Sequence, residues 1–258
     1  MIDITRVIGV NPAEFANIAT AERDFWWYRG MRRILFGLLD PFLTGRQIRH
    51  VLEAGCGTGG NAAALAQRYG WSTYPLDLDM EGLRYARSLG LARLTQGDVG
   101  ALPFRPNTFD AVFSLDVLVH CSPGEESRAL SEFSRVLRPG GLLILRVSAF
   151  EFLRSRHSEF VGERQRFTEK RLKPAVSKSG IRILRITYAN TLLVPVALAK
   201  FRIWEPLMRR RPQSGVQPVS PWLNRLLAFP LAAEGRWLDA GFNIPMGQSL
   251  ILIGEKQG

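Results

Sequence analysis

Val51-Leu-Glu-Ala-Gly-Cys-Gly-Thr-Gly-Gly60 joins a short apolar run to the start of a helix, and its reading decides the fold. His50-Val51-Leu52 reads as the end of a buried strand that Glu53 closes. Gly55, Gly57 and Gly59 form a tight turn, and Asn61-Ala-Ala-Ala-Leu-Ala66 opens a helix. Glycines suit such a turn because they reach backbone angles that a Cβ forbids and let a ligand approach the bare backbone. The helix points its positive N-terminus and free N–H groups into the same space. The acid at the strand's end adds an acceptor for a cationic or hydroxyl-bearing ligand. The spacing is G-x-G-x-G, whereas dinucleotide turns carry G-x-G-x-x-G, although Gly60 blurs the count. By itself the turn admits any nucleotide-like ligand.

Downstream the chain alternates strand and helix. Strands are expected at 71–76, ending at Asp77, at 91–95, at 109–115 and at 142–147. Helices are expected at 80–89 and at 124–138, the second stopped by Pro139-Gly140-Gly141. The 109–115 run is apolar apart from Asp110 and Ser114, as befits a parallel strand buried on both faces. This rhythm predicts βαβ units in a parallel sheet. A further helix at 168–179, capped by Thr168 and ended by Gly180, leads to a strand at 181–188, and 249–254 reads as the last strand. Residues 11–49 read as helical, with Pro12 at a helix start after Asn11. Phe25-Trp-Trp-Tyr28 is too continuous for one helix face, so part of it should face a cleft.

Bulk composition narrows the classes. The 258 residues are 46% hydrophobic, enough for one sizeable α/β core. Cys56 and Cys121 cannot build a disulfide framework, which fits a reducing cytosol. Residues 1–6 lack the charged-then-apolar pattern of a signal segment. No apolar run approaches the ~20 residues of a membrane span. The net charge is +11, and residues 151–211 hold fifteen Lys/Arg against five Asp/Glu, so nearly all the excess lies in one segment. A face of that kind could meet nucleic acid, anionic lipid or an acidic substrate, or could simply be solvated.

The ends of the first four strands offer Glu53 with its turn, Asp77, Asp98-Val99 and Leu115-Asp116. In open α/β sheets ligands bind there. Asp77 follows Glu53 by 24 residues, close to the ~20-residue offset at which an acid takes ribose hydroxyls. Asp98 beside Val99 could hold an amino group and an aromatic face, as adenine requires.

Glu53-Ala-Gly-Cys-Gly-Thr-Gly59, Leu76-Asp77, Gly97-Asp98, Leu102-Pro-Phe104 with Phe109-Asp110, and Arg135-Val-Leu-Arg-Pro-Gly-Gly141 stand in order. Together they resemble the class I S-adenosylmethionine-dependent methyltransferases, in the small-molecule group called methyltransferase type 11. The resemblance covers about residues 48–148. The Trp-Trp-Tyr-Arg segment before it, and the run from Arg166 to Ile181 after it, also resemble bacterial members.

This resemblance implies a Rossmann-like, doubly wound seven-stranded α/β sheet whose last strand is antiparallel. It implies a single domain: a helical N-terminal cap (1–47), a cofactor core (48–189), a helical lid or acceptor insert (190–246) and a final strand (247–258). S-adenosyl-L-methionine would be the cofactor and S-adenosyl-L-homocysteine the product; no metal is expected. Glu53, Gly55, Cys56 and Gly57 would lie against the methionine part, with Gly59 closing the turn and Cys56 as a small filler. Asp77 would bind the ribose, Leu78 the adenine face, Asp98 and Val99 the adenine amino group and ring. Leu115 would line the methionine side, and Tyr28 or Arg29 would meet the cofactor's carboxylate.

His120, on the loop after the fourth strand, is a candidate general base, with Asp116 beside it; a structural role is the alternative for both. A sulfonium donor carries an activated methyl group, so the protein's task is to align the acceptor and exclude water. The apolar insert favours a hydrophobic or amphipathic acceptor such as a lipid, polyketide, terpenoid or quinone-like molecule. The expected partners are that acceptor and, through the basic segment, an anionic membrane surface. No nucleic acid is expected, because there is no Asn/Asp-Pro-Pro-Tyr motif and no appended RNA-binding module. An RNA-directed methyltransferase, a nicotinamide oxidoreductase and a non-catalytic cofactor-binding protein are the rival readings.

Overall fold

In a computed structural model, which describes residues 11–208, 214–216 and 219–258, one seven-stranded sheet runs through the protein. Residues 1–6 and 209–211, used in the signal and charge readings, lie outside the described residues. Two helices come first. α1 (Pro12–Ala21) starts at Asn11, whose side-chain oxygen accepts the Ala13 N–H at 3.1 Å; α2 is Trp26–Leu39. Then follow β1 (His50–Ala54), α3 (Gly60–Tyr69), β2 (Ser72–Asp77), α4 (Met80–Ser88), β3 (Thr95–Gln96) and β4 (Phe109–Leu115). α5 (Glu126–Val136), β5 (Leu137–Ser148), α6 (Arg156–Phe160), α7 (Glu169–Lys178) and β6 (Ile181–Ala189) complete the core. The insert supplies α8 (Val194–Leu198), a π-helical stretch (Ala199–Trp204), α9 (Glu205–Met208) and α10 (Pro221–Asp239), before β7 (Ser249–Lys256).

The strand order is β3-β2-β1-β4-β5-β7-β6, with β7 antiparallel to both neighbours. The order reverses between β1 and β4, so the ends of these strands open a crevice there. Both faces are covered, which is why the strands are apolar without alternation. Ala111, Phe113, Leu142 and Ile144 pack with Met31, Ile34, Leu35 and Leu38 of α2. Val112, Leu143 and Leu145 point the other way, onto Leu130 and Phe133 of α5 and Leu172 and Val176 of α7.

α10 packs on α2. A Cβ on Gly30 would lie 2.4 Å from Leu231 Cδ1 and 2.8 Å from Leu231 Cβ, so the glycine is what lets the helices approach. α2 has no side-chain cap of its own. Asn224 supplies one from α10: its Oδ1 accepts the Trp26 N–H at 2.8 Å and its Nδ2 donates to Asp24 O at 2.8 Å. Glu234, buried, accepts the Thr191 and Leu192 N–H groups at 2.7 and 2.6 Å, fastening α10 to the chain leaving β6. The cap and part of the insert are thus one layer against the sheet.

Three local expectations need correction. The third strand is only Thr95–Gln96, not 91–95. Leu91 is held back at the end of α4, its N–H on Ala86 O at 3.4 Å, and Arg93 lies over the Tyr74 ring instead of pairing along β2. The helix expected at 124–138 ends at Val136, and Pro139-Gly140-Gly141 belongs to β5. Leu137 already pairs with Phe109, and the glycines bridge a shift of register before Leu142 pairs with Ala111, with Gly140 at φ 75°. Thr168 stands at the cap position of α7 but makes no side-chain cap; the Tyr188 hydroxyl accepts the Glu169 N–H at 3.0 Å in its place. No helix among the described residues is long and apolar enough to cross a membrane.

Candidate functional site

The glycine turn is built against β2. Gly55 N–H and Cys56 N–H both donate to Leu76 O, at 2.8 and 2.9 Å, while Gly55, Gly57 and Gly59 all have positive φ. Asp77 ends β2 with its carboxylate under the turn: Oδ2 accepts the Gly57 N–H at 2.7 Å and Oδ1 the Asp79 N–H at 2.9 Å. Burial pushes its pKa up, partly offset by these two N–H groups. A carboxylate has about four acceptor sites, so two remain for a pair of hydroxyls. A Cβ at Gly57 would meet nothing within 4 Å, which leaves bare backbone facing open space.

Leu78 is 36% exposed beside this acid, an apolar surface at a strand end. Across the opening, Asp98 is exposed and held by the Gly100 N–H on Oδ1 at 2.8 Å, with half-buried Val99 next to it. Leu115 is buried at the end of β4. These residues line one cavity of about 1020 Å³, together with Gly55, Cys56, Gly57 and Asp77. A second cavity of about 320 Å³, bounded by Leu43, Arg46 and Trp71, holds none of them.

Glu53 and Gly59 do not line the cavity. Glu53 is buried beneath the turn with Oε2 unpartnered among the described residues. Burial raises its pKa to about 8; the Ala62 N–H opposes this, Glu22 adds to it, the Asn61 amide opposes it and Asp77 adds to it. Glu22 comes from the end of α1, accepts the Thr58 hydroxyl at 2.7 Å and lies where a Gly60 Cβ would stand. Burial also pushes the Cys56 thiol far up, which disfavours the thiolate.

The aromatic segment divides. Phe25, Trp26, Trp27 and Tyr28 line the cavity, whereas Arg29 is exposed and does not, because α2 turns it about 100° away. A buried cation on the cavity wall is Arg146, which sequence reasoning passed over as part of an apolar strand. Its Nε and Nη2 donate to Asp116 Oδ2 at 3.0 and 2.6 Å, and its guanidinium lies 4.9 Å from the Trp27 ring. Asp116, at φ 61°, is therefore held in an ion pair. A lone arginine in an apolar strand run was the available signal, since such a charge needs a partner.

His120 lines the cavity, and its Nδ1 is 3.3 Å from Gly162 O. A carbonyl can only accept, so Nδ1 carries a proton, and in the neutral ring the lone pair is then on Nε2. His157, left aside in the sequence, also reaches the cavity, but its Nδ1 accepts the Gly215 N–H at 2.9 Å, and burial lowers its pKa. That arrangement places the proton on Nε2. Glu163 was also missed. Burial pushes its carboxyl up, but Arg166, Ser148 and Ser158 outweigh this and hold it below its ordinary value. Ser148 Oγ donates to it at 2.7 Å.

A glycine turn tied to one acid, an apolar slot beside a second acid and a large adjoining cavity define a nucleoside-binding α/β site. Residues 52–145 match the family described as a methyltransferase domain. The fatty-acid O-methyltransferase of Mycolicibacterium smegmatis is 39% identical over 100 residues, 37% of this chain and 36% of that protein. The malonyl-(acyl-carrier protein) O-methyltransferase of Erwinia billingiae is 35% identical over 128 residues, 48% of this chain and 49% of that one. The chain thus matches less than half the length of either relative. The phosphoethanolamine N-methyltransferase 2 of Haemonchus contortus, solved with S-adenosyl-L-methionine, shares the fold at TM-score 0.55 and 22% identity. That likeness covers 87% of this chain and 52% of that one. The (4+2)-cyclase SpnF shares it at TM-score 0.56 and 20% identity, over 90% and 83% of the two chains. Residues 52–145 are thus similar to the methyltransferase domain of the class I, S-adenosylmethionine-dependent enzymes. The site fits the cofactor: free acceptor positions on Asp77, exposed Leu78 and half-buried Val99 as apolar surfaces, and open space over Gly57.

Proposed function

We propose that the protein transfers the methyl group of S-adenosylmethionine to a small hydrophobic or amphipathic acceptor, of lipid, polyketide, terpenoid or quinone-like chemistry. The observation that carries this reading is the cavity itself. At about 1020 Å³ it extends from the glycine turn to Val196 and Trp204 of the insert. A pocket for one drug-sized ligand is typically ~300–1,000 Å³, so cofactor and acceptor can share it. The named relatives that act on fatty acids and malonyl-acyl-carrier protein support a carboxylate- or lipid-like acceptor.

When bound, the cofactor supplies a methyl group on a positively charged sulfur. Asp77 would accept the ribose hydroxyls, and Leu78 and Val99 would enclose the adenine while Asp98 would take its amino group. Gly55, Cys56, Gly57 and Leu115 would lie against the methionine part, with Glu53 buried beneath the turn and Tyr28 and Arg146 also on the cavity wall. Trp26, Trp27 and Tyr28 exclude water, which is most of what an activated methyl donor requires. Where the acceptor must lose a proton, His120 Nε2 takes it, with Nδ1–H fixed on Gly162 O. Asp116 acts through Arg146 as a wall of the site. The nucleic-acid reading is weaker, because Arg154, Arg166, Arg171 and Arg182 of the basic segment are paired with Glu151, Glu163, Glu126 and Glu255.

The test is thermal. Saturating S-adenosylhomocysteine should raise the melting temperature, and labelled methyl groups should then appear on amphipathic acceptors from a panel. An unchanged melting curve with saturating ligand would overturn the reading. The (4+2)-cyclase that shares the fold makes the transfer assay necessary beside the binding assay.

A further inference from the structure

α8, the π-helical stretch and α9 form one continuous rod from Val194 to Met208. Its outer side is apolar and bare: Val196 is 59% exposed, Ile203 68%, Trp204 58% and Leu207 73%. Ile203 and Leu207 are four residues apart, the spacing of one helix face. α10 repeats the pattern with Trp222 at 67%, Leu226 at 58% and Phe229 at 67%. Both helices border the same cavity, through Val196, Lys200 and Trp204 on the rod and Leu227 on α10. Rows of exposed apolar side chains rimmed by charge mark an interaction surface.

The charges on this face select its partner. Lys200 lies one turn from Val196 and Ile203, Arg202 flanks them, and Arg225 lies between Trp222 and Phe229 on the α10 stripe. All three are exposed, and none pairs with a carboxylate among the described residues. Arg202 donates to Phe152 O at 3.1 and 2.8 Å and keeps further N–H groups free. Against an apolar protein surface these cations would be buried unpaired, which is costly. At a lipid surface they reach phosphates while their stems and the tryptophan rings stay in the apolar boundary.

We propose that this face docks on an anionic lipid surface, with Ile203, Leu207, Trp222, Leu226 and Phe229 in the headgroup–acyl boundary and Lys200, Arg202 and Arg225 on lipid phosphates. Val196 and Trp204 belong both to the face and to the cavity wall, so the mouth of the cavity opens onto the bilayer. A hydrophobic acceptor then enters without crossing water; that consequence rests on the methyl-transfer reading, whereas docking itself does not.

The test is co-sedimentation of the full chain with vesicles of phosphatidylcholine alone or of equimolar phosphatidylcholine and phosphatidylglycerol, at low and high salt. The expected result is association with the anionic vesicles, weakened by salt. It should be reduced at least about tenfold by Ile203→Asp with Leu207→Asp. Neither residue lines the cavity, so the melting temperature and its rise with S-adenosylhomocysteine should be unchanged in that variant. Failure to bind either vesicle, equal binding to both, or full binding by the double variant would each overturn the proposal. So would a dimer in sedimentation equilibrium that the same substitutions dissolve while vesicles are ignored, since a second copy would then cover the face. The vesicle assay needs no turnover, so its failure and that of the methyl-transfer reading are read separately.

Discussion

The Asp77 carboxylate accepts the backbone N–H of Gly57 at 2.7 Å, joining the end of β2 to the middle of the glycine turn. The acid proposed to take the ribose therefore also shapes the backbone of the glycine turn. Asp77→Ala should abolish the melting-temperature rise with S-adenosylhomocysteine. Asp77→Asn can still accept one N–H but loses the charge, and should weaken binding about 10- to 100-fold, the worth of hydrogen bonds to a charged group. Calorimetric titration of both variants checks this; an unaltered affinity in Asp77→Asn would remove the ribose assignment.

Glu53 makes stability depend on pH in an uncommon direction. Its folded pKa is about 8 against an ordinary 4.5, so between those values the native state binds a proton that the unfolded chain does not. Stability from this group is then fully present below pH 4.5 and is lost as pH rises through 8. Glu53→Gln, which stays neutral, should melt higher than the parent at pH 8.5 and close to it at pH 5. Thermal scans across that range show whether the difference grows with pH.

A cationic ligand beside Glu53 favours its ionised form. Binding of S-adenosylmethionine near pH 7 should therefore release a proton, and the Gln variant should release less. Titration calorimetry in two buffers of different ionisation enthalpy measures it directly; identical proton release in both proteins would remove Glu53 as the source.

Arg146 is almost fully buried and is held by Asp116. Asp116→Ala leaves that guanidinium without its carboxylate, so the loss of stability should fall toward the low end of ~3–5 kcal/mol, since Asp116 is partly exposed. Asp116→Asn should cost less, because asparagine tolerates the φ of 61° and can still accept a hydrogen bond. Urea unfolding of the two variants ranks them.

Gly30→Ala tests the α2–α10 layer. The added Cβ would stand 2.4 Å from Leu231 Cδ1, and overpacking of this kind costs ~1–3 kcal/mol. Leu231→Ala is itself a cavity-forming change, yet the double variant should be more stable than the sum of the two losses implies. Strict additivity in a double-mutant cycle would mean that the helices accommodate the methyl group elsewhere.

The residues legible in advance share one property. Gly55, Gly57, Asp77, Leu78, Asp98, Val99 and Leu115 sit at strand ends, where local spacing decides which way a side chain faces, and all reach the cavity. The parallel βαβ units follow from the alternation of apolar runs and glycine stops, whereas the doubly wound order and the antiparallel last strand are implied by the family resemblance. Local pattern misled where tertiary pairing overrode it: Pro139-Gly140-Gly141 lies inside β5 because Leu137 finds Phe109 as a partner.

What the sequence determined by itself is the donor side, because a nucleoside-binding turn is built from neighbours in the chain and their fixed offsets. Only the tertiary structure decided the rest of the cavity wall. Arg146 meets Asp116 across 30 residues, Ser214 donates to Glu14 across 200, and Asn224 caps a helix that began 198 residues earlier. Such contacts arise from packing between distant elements, which no local period records, and they give the cavity its walls. The bare helices 194–208 and 221–229 at its mouth are likewise a fact of packing: α10 turns Leu231 and Leu238 to α2, and the faces left over remain in the open.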